Sequence, residues 1–115
     1  MATYVPQKLS GSTNGRGIKV VATATAGTLI HTAHATDTDF IDLWVVNSSA
    51  TAVKLTIEFG GVTVPDDLIE FTIPAEDGLY EVIRRMPVTG GVVVRAWAAT
   101  ANVLVAFGKV TRYTA

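Results

Sequence analysis

His31-Thr32-Ala33-His34, followed by Asp37 and Asp39, is the one stretch of the chain whose residue types suit a metal ion. Imidazole nitrogens and carboxylates are zinc donors, and oxygens alone suit calcium. The spacing argues against both. Side chains three apart on a strand leave on opposite faces, so His31 and His34 converge only where the chain turns between them. Carboxylates at 37 and 39 alone fall well short of the roughly six to eight oxygens that calcium takes. The plainer expectation is a strand end and then a polar loop, Thr36-Asp37-Thr38-Asp39, with no metal and no cofactor.

Other reacting groups are scarce. There is no cysteine, no Gly-x-Ser-x-Gly, and no serine that the sequence places beside either histidine. The acidic pairs Asp66-Asp67 and Glu76-Asp77 stand beside proline in turns, where acids are ordinary solvating residues. Gly11 to Gly17 lacks the Gly-Lys-Ser/Thr ending of a phosphate loop and follows no strand. An enzyme is not expected. Arg84 and Arg85 form the one basic doublet, yet neighbours on a strand point to opposite sides. Salt bridges to Asp42, Glu58, Glu70 or Glu81 are the expectation for the arginines, whereas Arg95 and Trp97 share a face and suit a partner contact.

The elements that position these residues are strands. The chain holds sixteen Val and sixteen Thr in 115 residues, and its dominant period is two. In residues 53–59, Val53, Leu55, Ile57 and Phe59 share one face, opposite Lys54, Thr56 and Glu58. Further strands are expected at 18–25, 28–32, 40–47, 68–73, 79–86, 92–99 and 103–110, separated by turn signals such as Gly60-Gly61 and Thr89-Gly90-Gly91. About eight short strands without helical periodicity predict an all-β, antiparallel, jelly-roll-like sandwich over 18–115. Residues 1–17, with the Gly-rich run 11–17, are expected to be a flexible N-terminal arm or a long leading loop, tethered through Tyr4, Val5, Pro6 and Leu9 to its own domain or to a neighbour.

Composition narrows the function. Nine basic against ten acidic residues offer no footprint for nucleic acid. No run approaches the ~18–20 apolar residues of a membrane span, and the first residues lack the apolar stretch of a signal peptide, so a soluble protein made in a cytoplasm is expected. Charged residues are 17% of the chain, against about 25% in ordinary domains. The apolar excess sits on second faces of three strands: Phe40, Trp44 and Val46 beside Asp42, Val93, Arg95 and Trp97, and the second row of 103–110. Contiguous apolar patches mark contact sites. The expected partner-interface residues are therefore Tyr4, Leu9, Arg16, Phe40, Trp44, Arg95 and Trp97, with burial under the arm as the alternative. Trp44, Trp97 or Tyr80 would also serve as stacking platforms in a carbohydrate-binding sandwich.

Four features in succession resemble the small all-β structural proteins of tailed bacteriophage particles. They are Gly27-Thr28-Leu29-Ile30-His31-Thr32 after a Gly-rich leader, Ile41 to Asn47 ending in Asn-Ser-Ser, Leu55 to Gly61 ending in Gly-Gly, and Ile73-Pro74-Ala75 with the closing strands 92–99 and 102–113. The resemblance implies a virion protein made in the host cytoplasm: a capsid decoration, head-fibre, neck or tail component. It implies a homo-oligomer, with a trimer favoured, bound to a major capsid or other virion protein. It carries no catalytic residues.

Overall fold

β-Branched residues alternating with polar ones build nine strands in the computed structural model, which describes residues 2–115. They are β1 (Thr3–Gln7), β2 (Ile18–Lys19), β3 (Thr28–Thr32), β4 (Thr38–Asn47), β5 (Val53–Phe59), β6 (Leu68–Ile73), β7 (Tyr80–Val88), β8 (Val93–Ala98) and β9 (Leu104–Thr114). Among the described residues there is no helix. One sheet has the order β1-β9-β4-β7, with β2 also on β9; the other has the order β3-β8-β5-β6. The pairs nest along the chain, β2 with β9, β3 with β8, β4 with β7 and β5 with β6, all antiparallel. This is one long hairpin wound into two sheets, so the expected all-β sandwich is the observed fold.

The core lies where the inward rows meet. Ile41, Leu43 and Val45 of β4 and Leu104, Ala106 and Val110 of β9 face Leu55 and Ile57 of β5 and Val94, Ala96 and Ala98 of β8, all buried. Each large aliphatic side chain sequestered in this way stabilises the fold by about 1.5–3 kcal/mol. β4 pairs with β9 over its whole length, Thr38 opposite Tyr113 to Asn47 opposite Leu104, and with β7 on its other side. Two of the three strands with apolar second faces are thus held side by side.

Two segments depart from expectation. Residues 2–17 do not stand off as an arm: β1 pairs with β9 from Thr3 opposite Thr114 to Gln7 opposite Val110, and Gly11 N–H donates to Ile30 O in the other sheet at 2.9 Å. Leu9 anchors the crossing. A Cβ at Gly108 would lie 3.1 Å from its Cδ1, so the glycine leaves the space that Leu9 fills. The boundary at residue 17 is therefore no edge of the packed unit. Likewise the strand expected at 18–25 is a ladder only over Ile18–Lys19. Beyond it the chain passes from one sheet to the other, Val20 N–H donating to Leu104 O at 2.9 Å and Ala98 N–H to Ala22 O at 3.0 Å. Alternating Ala and Thr at 22–26 offer too little side-chain area to hold a further strand on a core.

Candidate functional site

The residues with metal-ligand chemistry separate into two local structures. His31 is 1% exposed and Asp39 fully buried. Ser10 N–H donates to His31 Nδ1 at 3.0 Å, so the proton of this neutral ring sits on Nε2 and points at Asp39 Oδ2, 2.8 Å away. Arg112 closes a fork on the same carboxylate, Nε to Oδ1 at 2.7 Å and Nη2 to Oδ2 at 3.1 Å, and His34 N–H adds a bond to Oδ2 at 3.2 Å. The cluster joins the leader, β3, β4 and β9, and so ties the two sheets together. Burial by itself raises the Asp39 pKa, but the bonds from Arg112, His31 and the His34 backbone outweigh it and hold the carboxyl at about 2.

His34 turns away from this cluster. Its Nδ1 accepts from Asp37 N–H at 2.9 Å and Thr36 N–H at 3.1 Å, closing the polar loop, and Asp37 Oδ2 accepts from the Thr114 hydroxyl at 2.8 Å. Among the described residues no group of three or more His, Cys, Asp or Glu side chains is placed to hold a metal ion. Nδ1 and Nε2 of His31, and both oxygens of Asp39, are engaged inside the protein. Their chemistry is structural: a latch between sheets.

Glu58 stands on the row of β5 that the alternation assigns to solvent, yet it is 1% exposed. Its Oε2 accepts from the Thr25 hydroxyl at 2.6 Å and its Oε1 from Gly27 N–H at 2.8 Å. Reaching β5 from the start of β3 carries residues 22–27 across β8, because the sheet order is β3-β8-β5. Trp97 and Arg95 of β8 stand opposite Thr56 and Glu58 and lie beside this path. Trp97 is half-buried with its Nε1 buried and unpartnered among the described residues, and Arg95 Nη1 reaches only Gly27 O at 3.5 Å. The third apolar second face is thus partly covered by its own chain. Replacing Glu58 with alanine removes two charge-assisted hydrogen bonds and is expected to lower stability by about 2–3 kcal/mol. In a Trp44→Phe background the emission of Trp97 should shift to the red as the crossing loop lifts; an unchanged emission maximum would show that Glu58 does not hold the loop down.

The other two second faces merge. On the outer side of β4 and β9, Trp44 stands opposite Phe107, Phe40 opposite Thr111 and Val46 opposite Val105. Tyr4 of β1 joins at the margin against Tyr113, with ring centroids 5.0 Å apart. Tyr4 is 66% exposed, and Phe107 is also exposed. A hollow of about 300 Å³ opens between Tyr4, Phe40, Arg85 and Thr111, and one of about 540 Å³ between Thr13, Arg16, Gly17, Val105 and Phe107. Arg85 is aimed there by a bulge in the β4–β7 pairing, where its backbone adopts φ 48° and its N–H donates to Asp42 Oδ1 at 3.0 Å. Arg84 pairs with Glu81 at 2.6 Å.

Of the seven residues expected at a partner interface, four share this face: Tyr4, Phe40, Trp44 and Arg16. Arg95 and Trp97 lie on the opposite sheet beside the crossing loop. Leu9 is a core residue, 2% exposed, and its expected partner role gives way to packing against Gly108 and Leu43. Tyr80 packs edge-on against Phe71, centroids 6.3 Å apart, and offers no open platform. The sequence pairing of arginines with acids missed Arg112–Asp39 and the burial of Glu58; no local signal marks either, because both depend on register across strands far apart in the chain. Comparison with protein-family models, with curated proteins and with solved structures finds no match to this chain.

Proposed function

We propose that this chain is a non-enzymatic structural protein of a tailed-bacteriophage particle, a capsid decoration protein that oligomerises and binds the assembled shell, stabilising it. The observation that carries this reading is the aromatic face of β1, β4 and β9, with Tyr4, Phe40, Trp44, Phe107 and Tyr113 on one surface. Aromatic residues and arginine are the types enriched where proteins meet, and here Arg16 and Arg85 flank the rings. The polar cluster supports the same reading, since the contacts of His31 and Asp39 tie sheets together. Binding only to the assembled shell stabilises it by mass action, in proportion to the occupied sites. A place in the neck or tail of the particle rests on the same face.

The test is sedimentation of the purified protein with assembled shells and with free coat subunits of the phage that carries the gene. Co-sedimentation with shells alone is expected, and Trp44→Ala with Phe107→Ala, which breaks the oligomer that engages the shell at several points, should weaken it at least tenfold. The hollow beside Tyr4, Phe40 and Arg85 motivates a glycan array as the second arm. Saturable glycan binding that is lost with Trp44→Ala, without shell binding, would replace this reading by the carbohydrate-binding one.

A further inference from the structure

The fold sorts the charges that the sequence leaves nearly balanced. On the outer side of the sheet β1-β9-β4-β7 stand Arg16, Lys19, Arg84, Arg85 and Lys109, against Asp42 and Glu81. The opposite sheet with the two turns flanking β6 carries Asp66, Asp67, Glu70, Glu76 and Asp77 at its surface, against Lys54 and Arg95. One side is cationic and aromatic. The other is acidic, and the β5–β6 turn, residues 60–67, adds an apolar tip: Val64 is 73% exposed and Val62 also stands out beside Asp66.

We infer that the partner of the aromatic face is a second copy of this chain in a head-to-tail contact, with the β5–β6 turn of one copy seated on the face of the next. This rests on the proposed reading of the chain as an assembling structural protein. Like charge excludes the symmetric arrangement: two aromatic faces packed on each other would set five cations against five, with two carboxylates on each side to offset them. The head-to-tail arrangement brings the apolar tip, Val62 and Val64, to the hollow by Phe107, and Asp66 to its rim where Arg16 stands. Head-to-tail contacts close into rings when the rotation allows, which a trimer would satisfy.

Two variants with exposed substitutions test this by light scattering: a face variant, Arg16→Glu with Phe107→Ser, and a turn variant, Val64→Ser with Asp66→Lys. The wild type is expected to associate, each variant alone to remain at the 12.1 kDa chain mass, and their equimolar mixture to reach twice that mass and stop. The intact turn of the first then docks on the intact face of the second, leaving two disabled surfaces. Unchanged association of the turn variant, or a mixture that stays monomeric, overturns the inference. A wild type that is monomeric up to its solubility limit overturns it as well. Shell co-sedimentation of the wild type is read separately and decides the proposed function, so the two failures are distinguishable. Far-ultraviolet circular dichroism and unfolding midpoints matching the wild type establish that both variants are folded.

Discussion

Replacing Asp39 with alanine is expected to remove about 3–5 kcal/mol of stability, much of what a domain this size has to lose. Asp39 is fully buried and accepts from Arg112, His31 and the His34 backbone at once. Without it the Nε2–H of His31 has no acceptor in the core, and the half-buried guanidinium of Arg112 loses its only salt bridge among the described residues. The penalty of stranded donors exceeds the net worth of the bonds when made. Urea unfolding at neutral pH measures it: a lower midpoint with an unchanged slope is expected, and a shift under 1 kcal/mol would show the cluster to be dispensable.

The same cluster sets an acid limit. The Asp39 carboxyl is held at about 2 in the folded protein, below its ordinary 3.8. A lowered folded-state pKa means that the unfolded chain takes up the proton first as pH falls. The stabilisation is therefore complete above the ordinary carboxylate range and is lost between roughly pH 4 and pH 2. Unfolding midpoints measured across that range should fall more steeply for the wild type than for Asp39→Ala, which has no such proton to bind.

Leu9→Ala is the second large effect, about 2–5 kcal/mol. Leu9 fills the hollow over Gly108 and touches the same space as Leu43, so truncation leaves a cavity that rigid sheet backbone cannot close. It also loosens the leader between β1 and Ser10, whose N–H is the Nδ1 partner of His31. Faster proteolysis within residues 11–17 should accompany the lower unfolding midpoint. Were Leu9 an interface residue instead, self-association would drop while the midpoint stayed unchanged. Gly108 itself admits no side chain, because a Cβ there would overlap the Asp42 carbonyl.

Much of the fold was legible because period-two alternation is a local property. β5 and β6 fall at their expected bounds, and the apolar rows of β4 and β9 are visible as rows without any partner being known. The site was less legible. Glu58 reads as a solvent-facing residue on its strand, and only the crossing loop buries it. Arg112 and Asp39 are 73 positions apart, and no spacing rule links them. Leu9 and the Tyr4 strand looked like a loose arm because seven residues rich in glycine follow them; these glycines form turns that hold the leader on the domain, with positive φ at Gly15 and at Asn14.

The sequence by itself determined the strand class, the shortage of reacting groups and the excess of apolar second faces, since these follow from residue type and alternation along one strand. Tertiary structure decided which strands are neighbours, and with that which faces add together. Pairing β4 with β9 joined two apolar rows into one aromatic surface, and the passage of residues 22–27 over β8 withdrew the third. It also separated cations from acids in a chain whose charges nearly cancel. Side-chain direction is local, whereas register and sheet order depend on contacts between residues far apart in the chain.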